Sequence, residues 1–334
     1  MKTRIVIGVF LIVVVLAMAN FFPSHAQQAA EPAQPAGNGA PPLSNPLKVA
    51  LLKWYNANTV PTEFPVGKEP EGVAFDGANI WTANFGDGTV SKLRASDGAV
   101  LGTYTVGGFP LGLAFDGADI WVTNGLGTNL TKVRVSDGKI LGTFTLTGGQ
   151  VGFPAFDGDS VWVSTAPSSG NGTVNKLRAS DGKILGTFAV GSGPTAVACD
   201  GAHIWVTNAG SASVTKLRAS DGAVLGTFGV GFQPTGIAFD GANVWTANRG
   251  DDTVTKLRAS DGMVLGTFTS RNAPYGIAFD GENVWVTGSQ LAELLASDGK
   301  TLRVFYARTN FTGVAFDCAN VWVAGYNSNK VGKM

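Results

Sequence analysis

The sequence predicts an all-β chain: a seven-bladed β-propeller of four-stranded antiparallel blades, its ring closed by an N-terminal strand that completes the C-terminal blade. Three observations predict it. An Asp turn residue followed five positions later by Trp recurs seven times, from Asp76 and Trp81 to Asp317 and Trp322. The repeat period is near forty residues, the sequence mark of a stacked or circular repeat fold. Between successive copies stands a second turn, Ser-Asp-Gly, flanked by short segments of strand character.

Taken in order, the first unit runs from Pro70 to Phe109. Gly72 to Phe75 reads as a short apolar strand and Asp76-Gly77 as a turn. Ile80 to Ala83 is a second strand, carrying the tryptophan, and Phe85 to Gly88 is a loop. Thr89 to Arg94 alternates as a half-buried strand does. Ser96-Asp97-Gly98 turns the chain into a fourth strand, Val100 to Val106. Four antiparallel strands in about 40–45 residues make one propeller blade. The final copy stops inside its third strand, at Lys330 to Met334. Thr62 to Gly67 matches the fourth-strand segment Gly102 to Gly107, so the N-terminal segment is expected to supply the missing strand and cover the open edge. Val49 to Tyr55 either adds to that blade or wraps outside it.

The chain ahead of the repeats reads as targeting and linker sequence. Lys2 and Arg4 precede an apolar run from Ile5 to Ala19, and Ser24-His25-Ala26 offers small residues for a signal peptidase. The expected organisation is a signal peptide over 1–26, an Ala/Pro/Gly-rich disordered linker over 27–46 and the propeller over 47–334. The apolar run is short for a membrane span, and an uncleaved signal anchor is the alternative. The product would be secreted or periplasmic, monomeric, and without a stable span once cleaved. Cys199 and Cys318 fall in the fourth and seventh repeats, too far apart around a seven-fold ring for a disulfide, so two free thiols are expected.

Composition excludes some functions. There are 24 basic and 24 acidic residues, so the chain has no electrostatic case for nucleic acid or an anionic membrane surface. Length variation points to one face. The span from first-turn Asp to second-turn Asp is 21 residues in four repeats, 24 in the third and 18 in the sixth, whereas the return span is 19 or 20 throughout. Variation is therefore concentrated in the loop between second and third strands, on the face that also carries the blade-to-blade connections. Binding sites sit on variable loops held by rigid scaffold. The ligand-binding candidates on that face are Glu71, Phe109, Phe232, Gln233, Arg249, Asp251, Arg271, Tyr275 and Arg308.

Catalytic chemistry is thinly represented. The lone Asp in each Gly turn is read as turn-forming rather than calcium-binding, because calcium loops gather several ligands within a dozen residues. The Lys-Leu-Arg repeats, such as Lys92/Arg94 and Lys216/Arg218, are expected to pair with nearby turn aspartates. His203 is the only histidine beyond the leader and occupies a turn slot, which removes most triad, acid–base and zinc schemes. Arg249-Gly250-Asp251 is an adhesion-type tripeptide with chance as the simpler explanation. Asn129, Asn171 and Asn310 begin glycosylation sequons that matter only in a glycosylating host.

The blade pattern seen in Pro234 to Asn248 resembles the NHL/YVTN-type bacterial propellers and the streptogramin B lyase (virginiamycin B lyase) family, over roughly Leu47 to Met334. That family implies a magnesium-dependent ring-opening elimination that uses a His and acidic residues near the channel mouth. The resemblance lies in scaffold residues, and no His falls on the expected site face, so no catalytic set carries over. The Ser-Asp-Gly strand turns also look like those of quinoprotein dehydrogenase blades, which have eight. The leading reading is an exported module, without cofactor, that binds a protein, peptide, glycan or small ligand. The alternative is a metal-dependent lyase or lactonase using Mg or Ca, for which Glu71, Asn124, Asn208, Asn248 and Asp251 are the oxygen suppliers available. A plain structural module is a third.

Overall fold

The computed structural model describes residues 62–270, 273–306 and 309–334. The expected leader, the linker and the Val49 to Tyr55 segment lie outside them. The described residues form seven antiparallel sheets, each one blade. In the first blade the strands are Pro70–Phe75, Asn79–Asn84, Thr89–Arg94 and Val100–Thr105, so the first two are longer than the sequence suggests. The second, fourth, fifth and sixth blades repeat this order through residues 110–145, 194–229, 234–269 and 277–305. In the seventh sheet, Thr62–Pro65 lies antiparallel to Lys330–Lys333, with Phe64 opposite Val331. The third blade departs from the rule. Its inner strand is split into Gln150–Val151 and Ala155–Phe156 around Gly152-Phe153-Pro154. Pro154 has no N–H to give a ladder, and Phe153 bridges instead to Ala196 of the fourth blade.

The third strands differ from the half-buried reading. In Thr89–Arg94 the four central residues are all buried. Blades pack face to face around the ring, so an inner sheet has neighbours on both sides and its polar face must be satisfied by protein. The fourth strand is the outer edge, and there the pattern does alternate between exposed and half-buried.

Each repeated residue has an identifiable task. The first-turn Asp accepts hydrogen bonds from the backbone and from the indole of its own tryptophan. Asp76 Oδ1 takes the N–H of Ala78 (2.9 Å) and of Asn79 (2.6 Å), and Oδ2 takes Trp81 Nε1 at 2.8 Å. The same indole bond, 2.6 to 2.9 Å long, occurs in all seven blades. Burial pushes the Asp76 carboxyl up, but these donors outweigh it and hold it below the ordinary range. His203 takes part in such a turn, with Nδ1 at 3.0 Å from Asp200 Oδ2.

The Lys-Leu-Arg repeat divides its labour. The arginines pair with the outer-turn aspartates as expected, for instance Arg218 with Asp221 at 2.7 Å. Of the repeat lysines, only Lys132 joins first-turn aspartates in an ion pair, reaching Asp116 and Asp119. The shared task of these lysines is to bridge blades. Lys216 Nζ lies 5.1 Å above the Trp205 ring and donates to the Ala259 carbonyl of the next blade at 2.6 Å. Lys92, Lys132, Lys176, Lys256 and Lys333 do the same toward Val135, Ala179, Ala219, Ala296 and Ala95. Their ammonium groups are turned into the blade junctions, so they form no basic ring. In the sixth blade Glu293 holds the lysine position and takes Arg303 as its partner.

The outer Ser-Asp-Gly turns explain the fourth-strand aromatics. Gly222 has φ +74, and a Cβ there would meet the Phe188 ring of the preceding blade at 2.1 Å. Both the backbone region and the close ring demand glycine. Phe188 in turn lies 5.6 Å from Trp162. Tryptophan, aromatic edge residue and turn glycine thus lock six of the seven blade junctions. Both cysteines are free thiols. Cys318 sits at φ +73, where five other blades place a turn glycine between +92 and +107 and Gly77 has +95.

Candidate functional site

The residue that follows the inner-strand proline, or its equivalent, faces the axis in every blade: Glu71, Leu111, Gly152, Thr195, Thr235, Tyr275 and Thr312. Three of these are threonines that bind the neighbouring inner strand. Thr195 donates to the Pro234 carbonyl at 3.0 Å, Thr235 to the Tyr275 carbonyl at 2.9 Å and Thr312 to the Pro70 carbonyl at 2.8 Å. A threonine is short enough for its hydroxyl to satisfy that carbonyl at the cavity wall. Glu71 and Tyr275 are too long to do so. Both project into a cavity of about 290 Å3 at the variable end of the axis, with Arg249, Asn310, Phe311 and Tyr326.

Among the described residues lining this cavity, Glu71 is the only carboxylate. Its Oε2 is closed off from solvent and has no hydrogen-bond partner. Burial pushes the carboxyl up to about 7, against the Tyr275 hydroxyl and the Arg249 charge, which pull it down; Glu69 adds a smaller upward push. Burial and the Glu71 charge together raise the Tyr275 hydroxyl, so it is present as a neutral donor. The Arg249 guanidinium lies over the Tyr275 ring, 5.9 Å from its centre, and the Phe153 and Tyr275 rings meet edge to face with 5.9 Å between their centres. Tyr326 is raised by burial and by Glu69, with which it hydrogen-bonds. On the other side of Tyr275 is a more apolar cavity of about 370 Å3, lined by Leu111, Val151, Phe153, Pro194 and others.

Of the nine residues expected at a binding face, Glu71, Arg249 and Tyr275 meet in this cavity. Phe232, Gln233 and Asp251 lie in the loop pair beside it. Arg249 N donates to the Gln233 carbonyl, and Asp251 Oδ2 accepts the Phe232 N–H at 2.8 Å. Asp251 therefore clamps the two loops together, and Phe232 is left 54% exposed at the rim. Phe109 packs on Phe85 at 5.1 Å, on the first and second blades, away from the cavity lining. Arg271 and Arg308 lie outside the described residues. The asparagines considered as metal ligands do not converge. Asn208 and Asn248 donate to hydroxyls of their own third strands, and Asn124 is buried within its blade. Among the described residues, no group of three His, Cys, Asp or Glu side chains is placed to hold a metal ion.

Neither a protein-family model nor a curated protein matches this chain. Solved structures match its fold. A streptogramin B lyase structure superposes with a TM-score of 0.69 at 19% identity, covering 81% of this chain and 96% of that one. A catalytically inactive virginiamycin B lyase from Staphylococcus aureus, solved with quinupristin, gives 0.69 at 18%, covering 81% and 97%. The Cps50 (Swd1) propeller domain from Myceliophteria thermophila gives 0.68 at 12%, covering 82% and 98%. At such identities the likeness is one of fold: this chain is a seven-bladed β-propeller of the kind that virginiamycin B lyases share with other propellers.

Proposed function

We propose that the protein is an exported binding module whose ligand seat is the axial cavity around Glu71, Tyr275 and Arg249. The observation that carries this reading is the Glu71 Oε2 atom, buried and unpartnered, on a side chain that lines a cavity with a guanidinium and two phenols. An unpaired buried acceptor costs about 1–3 kcal/mol, and a ligand donor would recover it. Pockets that combine apolar walls with a few convergent polar groups are the usual form of small-ligand sites.

The alternative, a lyase or lactonase, has one supporting observation: a carboxyl that titrates near neutrality beside a tyrosine hydroxyl, as acid–base catalysis requires. A divalent ion does not fit there. One carboxylate with a guanidinium close by is a poor oxygen cage, and no metal-dependent step is derived from it.

A thermal-shift screen of amino acids, short peptides, oligosaccharides, lactones and cyclic depsipeptides tests the binding reading. Compounds that raise the melting temperature of the wild type and of the rim control Leu126→Ala, but not of Glu71→Gln or Tyr275→Phe, support it. Compounds that bind all four proteins alike place the seat elsewhere. Turnover of a lactone or depsipeptide, lost in Glu71→Gln, would establish the enzyme instead.

A further inference from the structure

The cavity carries two opposite charges beside one tyrosine. Glu71 approaches the Tyr275 hydroxyl, and Arg249 lies over the ring. They attract each other, yet no ion pair joins them, and Arg249 makes none with any described residue. Each is left with capacity on the cavity side. Oε2 of Glu71 accepts nothing, and the Arg249 guanidinium, on an exposed residue, keeps its fork of donors. A ligand cation alone would meet Arg249, and a ligand anion alone would meet Glu71. Only a molecule bearing both charges a few ångströms apart satisfies both ends. Tyr275 also lines the more apolar cavity with Leu111, Val151 and Phe153, which gives an uncharged arm somewhere to go.

Resting on the reading of this cavity as the ligand seat, we propose that it binds a small zwitterion of the α-amino acid class with an apolar side chain. The ammonium sits on Glu71, the carboxylate on Arg249 and the side chain against Tyr275 and Phe153. The paired rings of Phe153 and Tyr275, which both line the apolar cavity, favour an aromatic or large aliphatic side chain. Charge-assisted bonds at both ends make the recognition specific: without the ligand ammonium the buried Glu71 oxygen stays unanswered, and without the ligand carboxylate the bond to Arg249 is lost.

The proposal also sets a pH dependence. The charged and titratable groups facing Glu71 are Arg249, Glu69, Tyr275 and Tyr326. The ammonium binds the ionised carboxylate, so binding expels the proton that Glu71 carries below neutrality. With the free carboxyl titrating at about 7, affinity should fall roughly 20- to 30-fold between pH 7.5 and 5.5. An α-amino acid does not itself titrate in that range.

The test is calorimetric titration of the purified full chain with three probes: phenylalanine, phenylalaninamide, which lacks the carboxylate, and N-acetylphenylalanine, which lacks the ammonium. Phenylalanine should bind tightest and each of the others at least about tenfold more weakly, the loss of one charge-assisted bond. Arg249→Gln should bring phenylalanine down to the level of its amide. Glu71→Gln should bring it down to the level of the N-acetyl compound and abolish the pH dependence. The wild-type pH series keeps the test independent of whether either variant folds. N-acetylphenylalanine binding as tightly as phenylalanine, or a flat pH series, overturns the proposal. Should no probe bind while another library compound binds in a Glu71-dependent way, the ligand class is wrong and the seat stands. Should every library compound be indifferent to Glu71 and Tyr275, both fall.

Discussion

Glu71→Gln is expected to stabilise the fold, and to do so only where the carboxylate is charged. The folded state raises this carboxyl from an ordinary 4.5 to about 7. A carboxyl raised in the folded state is held more tightly to its proton there than in the unfolded chain. Its contribution is therefore whole below pH 4.5 and lost as pH rises through about 7. Each tenfold difference in proton affinity between the folded and unfolded chain is worth about 1.4 kcal/mol, so the ionised side chain costs up to about 3 kcal/mol at pH 8 and about 1 kcal/mol at pH 5. The side chain is half-buried rather than sealed, so solvent screening reduces the pH 8 figure to about 1–3 kcal/mol. Glutamine keeps the shape and the acceptor for the Tyr275 hydroxyl and has no charge to desolvate. The assay is urea unfolding of both proteins at pH 5, 6, 7 and 8. Groups common to the two cancel in the difference, which should favour the variant increasingly with pH and level off above 7. A difference independent of pH, or a variant less stable at pH 8, would refute the reasoning. Stability forgone at one cavity residue is the pattern of a binding site rather than of scaffold.

Four further outcomes test the scaffold. Asp240→Ala removes the acceptor for Ala242 N, Asn243 N and Trp245 Nε1 and strands a buried indole, so urea unfolding should show a loss of about 2–4 kcal/mol; Asp221→Ala, in an exposed outer turn, should lose far less. Burial pushes the Asp240 carboxyl up, but hydrogen bonds from Trp245, Ala242 and Asn243 outweigh it and hold the carboxyl below its ordinary value of 3.8, so its contribution is present above that value and lost as pH falls below it; Asp240→Asn should flatten the acid-unfolding curve in that range. Lys216→Met removes the bond to the Ala259 carbonyl and the contact with Trp205, and should cost about 1–3 kcal/mol by the same assay, whereas a solvated surface lysine would cost almost nothing. Cys318→Gly should raise stability by about 0.5–1 kcal/mol, since glycine accepts the positive φ; a thiol reagent should label Cys318 quickly and Cys199, whose thiol is raised by burial, slowly.

The scaffold was legible because repetition samples one physical problem seven times. A turn Asp always five residues before a Trp marks a blade, and the constant interval carried more than the turn. It is also the reach from a carboxylate to the indole N–H one strand away, a bond that the spacing could have suggested. The lysine staples were hidden for a different reason. A period near forty fixes a residue's place within its blade, but the acceptor of Lys216 is a backbone carbonyl 43 residues on, and carbonyls leave no trace in sequence. Reading those lysines as partners of turn aspartates followed charge alone, where the structure satisfies them with peptide dipoles and aromatic faces.

The cavity was half legible, and the way it was missed is instructive. Loop-length variation led to the face on which this cavity opens, and Glu71, Arg249 and Tyr275 were among the residues chosen there. It gave no reason to set Glu71 and Tyr275 above Phe109 or Asp251. The discriminating signal lay inside the inner strand, where length does not vary. At the axial position three blades place a threonine short enough to bond its neighbour's carbonyl, and two place a side chain too long to do so. In a ring fold every blade aims that position at the same axis. Residues as far apart in sequence as Glu71 and Tyr275 therefore need no chain proximity to meet; of the four blades without the threonine, the two that place a long polar side chain there make the cavity polar.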